Sequence, residues 1–215
     1  MDGPVRLLDL PVTVLLILSV LVVSLWGWIF KPAQRWMILI PYRVRHGGEV
    51  HRMFTAGWAH ANLSHLFFNM LALYFFAGWT TQTLGTPRFL ILYLTAVVAG
   101  FVPSTLFNLE NPRFATLGAS GAVAAVMFSG ILLHPTRRLF LLFMPLPIPA
   151  VVFAAAYLAY SVWHSLDQGD GVNHDAHISG ALYGSLLTFL FEPERVERSI
   201  HILIRFFEHL TGAVR

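Results

Sequence analysis

The sequence predicts an all-α membrane protein of six spans, with a long interfacial first loop and an amphipathic C-terminal helix. Two observations carry this. Only 12% of the 215 residues are charged while 56% are hydrophobic, against about 25% charged in a typical soluble domain, so too little polar surface remains to cover a water-soluble globule. Apolar segments fall at 10–30, 63–80, 88–108, 117–133, 139–163 and 176–191, each near the roughly 20 residues that cross a bilayer core. Backbone polar groups in lipid must be satisfied within their own segment, so each segment is read as a helix.

Taken in order, the first segment follows Arg6 as a signal peptide would. It has span length, however, and ends in Trp26, Trp28 and Phe30 with no small-residue cleavage site, so it is read as a retained span. Residues 31–62 mix Trp36, Tyr42 and Trp58 with Arg and His, which suits the water–lipid interface. The fifth segment is interrupted by Pro145, Pro147 and Pro149, so its helix is expected to begin near Ile148. The loop Asp167–Asp175 is short, acidic and glycine-rich, and is expected to be mobile. After Pro193, the residues Val196, Ile200, Leu203, Phe207, Leu210 and Val214 form one helical stripe. Arg198, His201, Arg205, Glu208 and His209 interrupt it, so this tail lies along the membrane surface or remains a solvated end. The expected division is a membrane domain over 1–192 and a tail over 193–215.

With no cysteine there is neither a disulfide framework nor thiolate chemistry. The pI near 9.6 reflects loop charges facing anionic lipid, and no basic stripe interleaved with aromatics suggests nucleic acid. An inside N-terminus puts Arg6, Arg88, Arg137, Arg138 and the basic tail on the cytoplasmic side, though the first loop, with Lys31, Arg35, Arg43, Arg45 and Arg52, opposes this. The reading is N-in and C-in, in a bacterial inner membrane because the chain is compact, with the site toward the extracytoplasmic face.

Polar residues within spans point to function. His65 and Asn69, four apart, share one helix face. Gly118–Ala119–Ser120–Gly121 opens the fourth segment, and Ala176–His177 opens the sixth ahead of Gly180 and Gly184. Each alone has a plain structural alternative: a helix–helix hydrogen bond, close packing at glycine, a satisfied histidine. Helices two apart in sequence enter from the same side, however. His65, Ser120 and His177 therefore fall at similar depth, with Asn69 one turn deeper. That suits nucleophilic catalysis: a serine hydroxyl needs a neighbouring base, which His177 can be. An oxyanion needs preorganised donors, which the Ser120 amide, His65 and Asn69 can supply. Other chemistries fit worse. No two Asp lie inside spans, HExxH is absent, and Lys31 is the only lysine. A metal held by His60, His65, His174 and His177 lacks a carboxylate or cysteine to complete it.

Over residues 52–188 the chain resembles the rhomboid intramembrane proteases. The resemblance rests on His65–x3–Asn69–Met70; on Gly78, then Gly85–x2–Arg88–Phe89–x3–Tyr93; on Gly118–x–Ser120–Gly121–Ala122; and on Ala176–His177–x2–Gly180–x3–Gly184. It implies a six-helix core with a Ser–His dyad, Ser120 the nucleophile and His177 the base. His65, Asn69, the Ser120 amide and Gly118 would stabilise the oxyanion, with Gly121, Gly180, Gly184 and Ala124 as packing positions at the site. Transmembrane segments of other proteins are the implied substrates, cut at small-residue, helix-destabilising sites, with no metal or cofactor. Three positions depart from the family: His51 precedes Arg52 in place of Trp, Gln82 replaces Glu, and Ala124 replaces the ring expected to pack on the catalytic histidine. If that ring is missing, Ala124→Tyr is expected to leave activity equal or higher. The alternative function is an inactive relative that binds transmembrane clients. A small transporter would need paired intramembrane charges.

Overall fold

The computed structural model describes residues 10–141, 144–167 and 172–211. Arg6, the middle of the Asp167–Asp175 loop and Val214 lie outside them, as do the side chains of Phe207 and Leu210.

Helix α1 (Leu10–Ile29) has no charged residue to interrupt it. The first loop is more ordered than its composition suggested, with short helices α2 (Lys31–Met37), α3 (Pro41–Gly47) and α4 (Arg52–Thr55) leading to a 3-10 turn at Ala56–Trp58. Proline in the first turn starts both α2 and α3, where its missing N–H costs no bond. Arg52 organises the loop. Its side chain is 2% exposed, and it donates to the carbonyls of Arg35 (2.7 Å), Trp36 (2.9 Å) and Ile38 (2.7 Å). Glu49 pairs with it, and that hydrogen bond holds the Glu49 carboxyl below the usual carboxylate range. His51 stacks on Trp36 with centroids 4.4 Å apart, so the departure at this position keeps a ring contact in the loop.

The expected second and third segments form one element, α5 (Leu63–Phe107), broken at Gly85 (φ 71°, ψ 165°). Only glycine adopts that conformation without strain, and Pro87 follows at once. The arm 63–84 runs beside α6 (Ser120–Leu133) in the same direction: His65 meets Gly118, and Gly130 meets Thr80. The arm 86–107 returns, with Arg88 beside Glu192 at one end and Ser104 beside Asn173 at the other. α5 is therefore an antiparallel pair, each arm about 33 Å long at 1.5 Å per residue.

In the fifth segment the helix starts close to the expected Ile148, and ahead of it β1 (Arg138–Leu141) and β2 (Met144–Pro149) form an antiparallel pair, with Leu139 opposite Ile148. Prolines at alternate positions put all their missing N–H groups on one strand edge, which a two-stranded ribbon leaves unpaired. Helix α7 starts at Ala150 and runs to Asp167. Helix α8 (His174–Phe191) is capped by Asn173, whose side chain accepts from the Ala176 N–H at 3.1 Å. Helix α9 (Pro193–Thr211) buries Val196 and Ser199, whereas Ile200 of the expected apolar stripe is 45% exposed.

The centre of the molecule is a meeting of backbones. A Cβ on Gly180 would lie 2.0 Å from the Gly121 carbonyl oxygen, and one on Gly184 2.3 Å from that of Ala125. Gly100 and Gly121 face each other across 3.2 Å, measured from an ideal Cβ to the opposite Cα. Hydroxyls reinforce the contact, with Thr188 donating to Ser129 (2.7 Å) and Ser179 to the Ala99 carbonyl (2.8 Å). Among the described residues, two helices are long and apolar enough to cross a membrane, Val12–Ile29 and Leu63–Phe107, while Ser120–Leu133 and Ala150–Ser165 are shorter apolar helices.

Candidate active site

One cavity of about 680 Å3 gathers most of the residues singled out in the sequence. Its wall includes His65 and Asn69 from α5, Ser120 and Ala124 from α6, Tyr157 from α7 and His177 from α8. Exposed Ala61, Asn62 and Ser64 form part of its lining. The α6–α8 glycine contact sets the spacing of Ser120 and His177, because Gly121 follows the first and Gly180 lies three residues past the second.

Each side chain has a local cause. Asn62 caps α5 by accepting from the His65 N–H at 2.8 Å, which fixes where the helix begins and hence where His65 lies. One turn on, the Asn69 amide donates to the His65 carbonyl at 2.8 Å; its NH2 carries a second N–H. Gly118 has φ 125°, and a Cβ there would fall 2.6 Å from His65 Cε1, so no side chain fits between this turn and the imidazole. Ser120 is the first residue of α6, where backbone N–H groups point out of the helix end and the dipole favours negative charge. Gly121, Gly180 and Gly184 lie at the close approach of α6 and α8.

His60 was weighed in the sequence only as a metal ligand; here it supports the turn before Ser120. It is fully buried. The Ser24 hydroxyl donates to the Trp58 carbonyl (2.8 Å), so its one proton is committed and the His60 Nδ1–H donates to it (3.0 Å). That leaves Nε2 to accept from the Ala119 N–H (3.4 Å). Burial first, and then neighbouring His65, push the His60 pKa down to about 3. The ring is thus held neutral in the tautomer that this chain of bonds requires. The four histidines do not assemble into one set: His60 and His65 are edge-on at 4.9 Å, and His174 and His177 edge-on at 5.4 Å. Among the described residues no three His, Asp or Glu are grouped to hold a metal.

Tyr157 was missed. Its ring stacks on His177 with centroids 5.7 Å apart and planes 29° from parallel, so His177 has an aromatic neighbour although position 124 is alanine. Tyr157 lies on the part of α7 that carries Tyr160 and His164 against His174 of α8. Rings of Tyr160, His164 and His174 meet there at 4.4–5.5 Å. Asp175, two residues before His177, accepts from the Ser165 hydroxyl.

Residues 47–194 match the family model described as Rhomboid domain. The chain is 29% identical over 155 residues to "RHOMBOID-like protein 12, mitochondrial" of Arabidopsis thaliana, covering 65% of this chain and 46% of that protein. It is 31% identical over 157 residues to "Rhomboid protein 1, mitochondrial" of Saccharomyces cerevisiae, covering 66% and 43%. Against the human "Presenilin-associated rhomboid-like protein, mitochondrial" it is 30% identical over 135 residues, covering 61% and 35%. The match thus spans less than half the length of each of these relatives. Their names overturn the expected bacterial inner membrane, since they point to a mitochondrial one, and the N-in, C-in assignment referred to that membrane goes with it. The family model covers more than half of the chain, and on that ground the chain belongs to the rhomboid family.

Proposed function

We propose that this protein is an intramembrane serine endopeptidase, hydrolysing peptide bonds in or near transmembrane segments of other membrane proteins. The observation that carries this reading is the single cavity lined by Ser120, His177, His65 and Asn69. In the proposed reaction the Ser120 oxygen attacks the substrate carbonyl as His177 takes the hydroxyl proton. The resulting oxyanion is met by the Ser120 amide at the helix end and by His65 and Asn69, with Gly118 giving the space. His177 passes its proton to the leaving amine, and the C–N bond breaks to leave an ester on Ser120. Water then enters, His177 takes one of its protons, and the ester is hydrolysed to a carboxylate and free Ser120. No cofactor or metal is part of this scheme.

The character of the outer surface supports a bilayer setting for this chemistry. Leu15, Val22, Phe107, Leu182 and Leu190 are each more than 60% exposed, an apolar exterior that suits lipid. We read α1, both arms of α5, α6, α7 and α8 as six crossings over residues 1–192, with α9 along the interface. A mitochondrial membrane, the one its relatives' names point to, is the proposed compartment. Cleavage of a transmembrane substrate in liposomes tests the activity. Wild type cuts, and Ser120→Ala and His177→Ala each lose at least about a hundredfold, the low end of what a nucleophile or base contributes. Equal cleavage by Ser120→Ala would end the serine reading. Silence of a folded wild type, with retained binding of the substrate, would favour a client-binding role.

A further inference from the structure

Position 124 carries no ring, yet the base is not bare. We infer that Tyr157, on α7, is a positioning residue for His177, supplying from the neighbouring helix the ring that position 124 of α6 does not carry; this rests on the dyad proposed above. Four observations support it. The Tyr157 ring stacks on His177 at 5.7 Å and 29°. Both side chains line the cavity that Ser120 and Ala124 also line, and alanine has no ring to set against the imidazole. Tyr157 is itself held by rings, with Phe128 at 6.1 Å and Phe153 at 6.4 Å. His174 meets His177 edge-on at 5.4 Å, so the imidazole has ring neighbours from both α7 and its own helix.

The physical effect is twofold. A flat ring against one face removes rotamers in which His177 turns from Ser120. It also presents a π-face to the imidazolium that forms when His177 takes the serine proton, a favourable cation–ring contact. The aromatic ring, not the hydroxyl, does this. Tyr157→Phe should therefore behave as wild type, and Tyr157→Ala should not. The placement also makes the base depend on where α7 stands: any displacement of that helix carries the ring away from His177.

The full-length chain in liposomes is assayed as wild type, Tyr157→Phe, Tyr157→Ala and the double variant Tyr157→Ala/Ala124→Tyr, with the melting temperature of each. Tyr157→Ala should lose about tenfold or more in kcat with KM changed less than about threefold, the scale of a lost ring–cation contact plus lost orientation. Tyr157→Phe should stay within about threefold of wild type, and the double variant should regain most of the loss by returning a ring from α6. A folded Tyr157→Ala with wild-type kcat overturns the inference, as does an equal loss in Tyr157→Phe or a double variant no better than the single one. The 15N imidazole resonance of His177, assigned by its absence in His177→Ala, reads the contact without catalysis. It should be one sharp signal in wild type and Tyr157→Phe, and broadened or split in Tyr157→Ala. An unchanged signal in Tyr157→Ala would also sink the ring contact. A wild type that fails to cut but shows this NMR pattern would sink the protease reading while the positioning contact stands.

Discussion

His60 uses both ring nitrogens, one toward Ser24 on α1 and one toward the amide beside Ser120. Its pKa lies near 3 in the folded protein, below the ordinary 6.5. In the window between these values the unfolded chain binds a proton that the folded one refuses. The sign follows: the stability that neutral His60 contributes is present above about pH 6.5 and is lost as pH falls toward 3, at no more than about 1.4 kcal/mol per pH unit. Unfolding midpoints measured from pH 7 to 4 should fall more steeply in wild type than in His60→Gln, which cannot take up a proton. Parallel curves would show that the folded protein tolerates the charge. Arg52 gives a second residue-scale test. Three loop carbonyls depend on it, so Arg52→Ala should cost about 2–3 kcal/mol, the scale of hydrogen bonds from a charged group and of carbonyls left without a donor. Denaturant titration in detergent reads this, and a change under 1 kcal/mol, less than one ordinary buried hydrogen bond, would contradict the bonding described.

Among the elements, α6 and α8 are bound by the closest contact. Gly180→Ala places a Cβ 2.0 Å from the Gly121 carbonyl, and that neighbour is backbone, which cannot swing aside. The helices must part, at a cost of about 2 kcal/mol or more, and cleavage should fall with stability because Ser120 and His177 ride on the two helices. Gly47→Ala, which would meet only the Glu49 side chain at 3.6 Å, is the control and should stay within about 0.5 kcal/mol of wild type. This contact was readable in the sequence, since Gly180 and Gly184 are one turn apart ahead of an apolar run. Counting apolar segments also put His65, Ser120 and His177 near one another, and all three line one cavity. The hairpin before α7 was not read: its apolar composition suits a buried helix, and only the alternate spacing of Pro145, Pro147 and Pro149 marks a strand edge. Tyr157 was hidden for another reason. Its role depends on the rotation of α7 against α8, which apolar periodicity alone leaves undetermined when a helix is apolar nearly all round.

At the scale of the whole molecule, the first loop, α5 and α6 are held together by backbone as much as by side chains. Leu39 and Thr116 exchange N–H···O bonds of 3.0 Å, and the Gly118 N–H donates to the Ala56 carbonyl at 2.9 Å. The loop is thus stitched to the turn that leads into Ser120, a pairing not legible from local pattern because the partners lie some sixty residues or more apart. The break at Gly85 has a consequence for how the protein is made. The two arms of α5 are separated by a single non-helical residue, so no hydrophilic loop lies between them to be translocated by itself. On the six-crossing reading proposed above, they enter the bilayer together, as one helical hairpin, during synthesis.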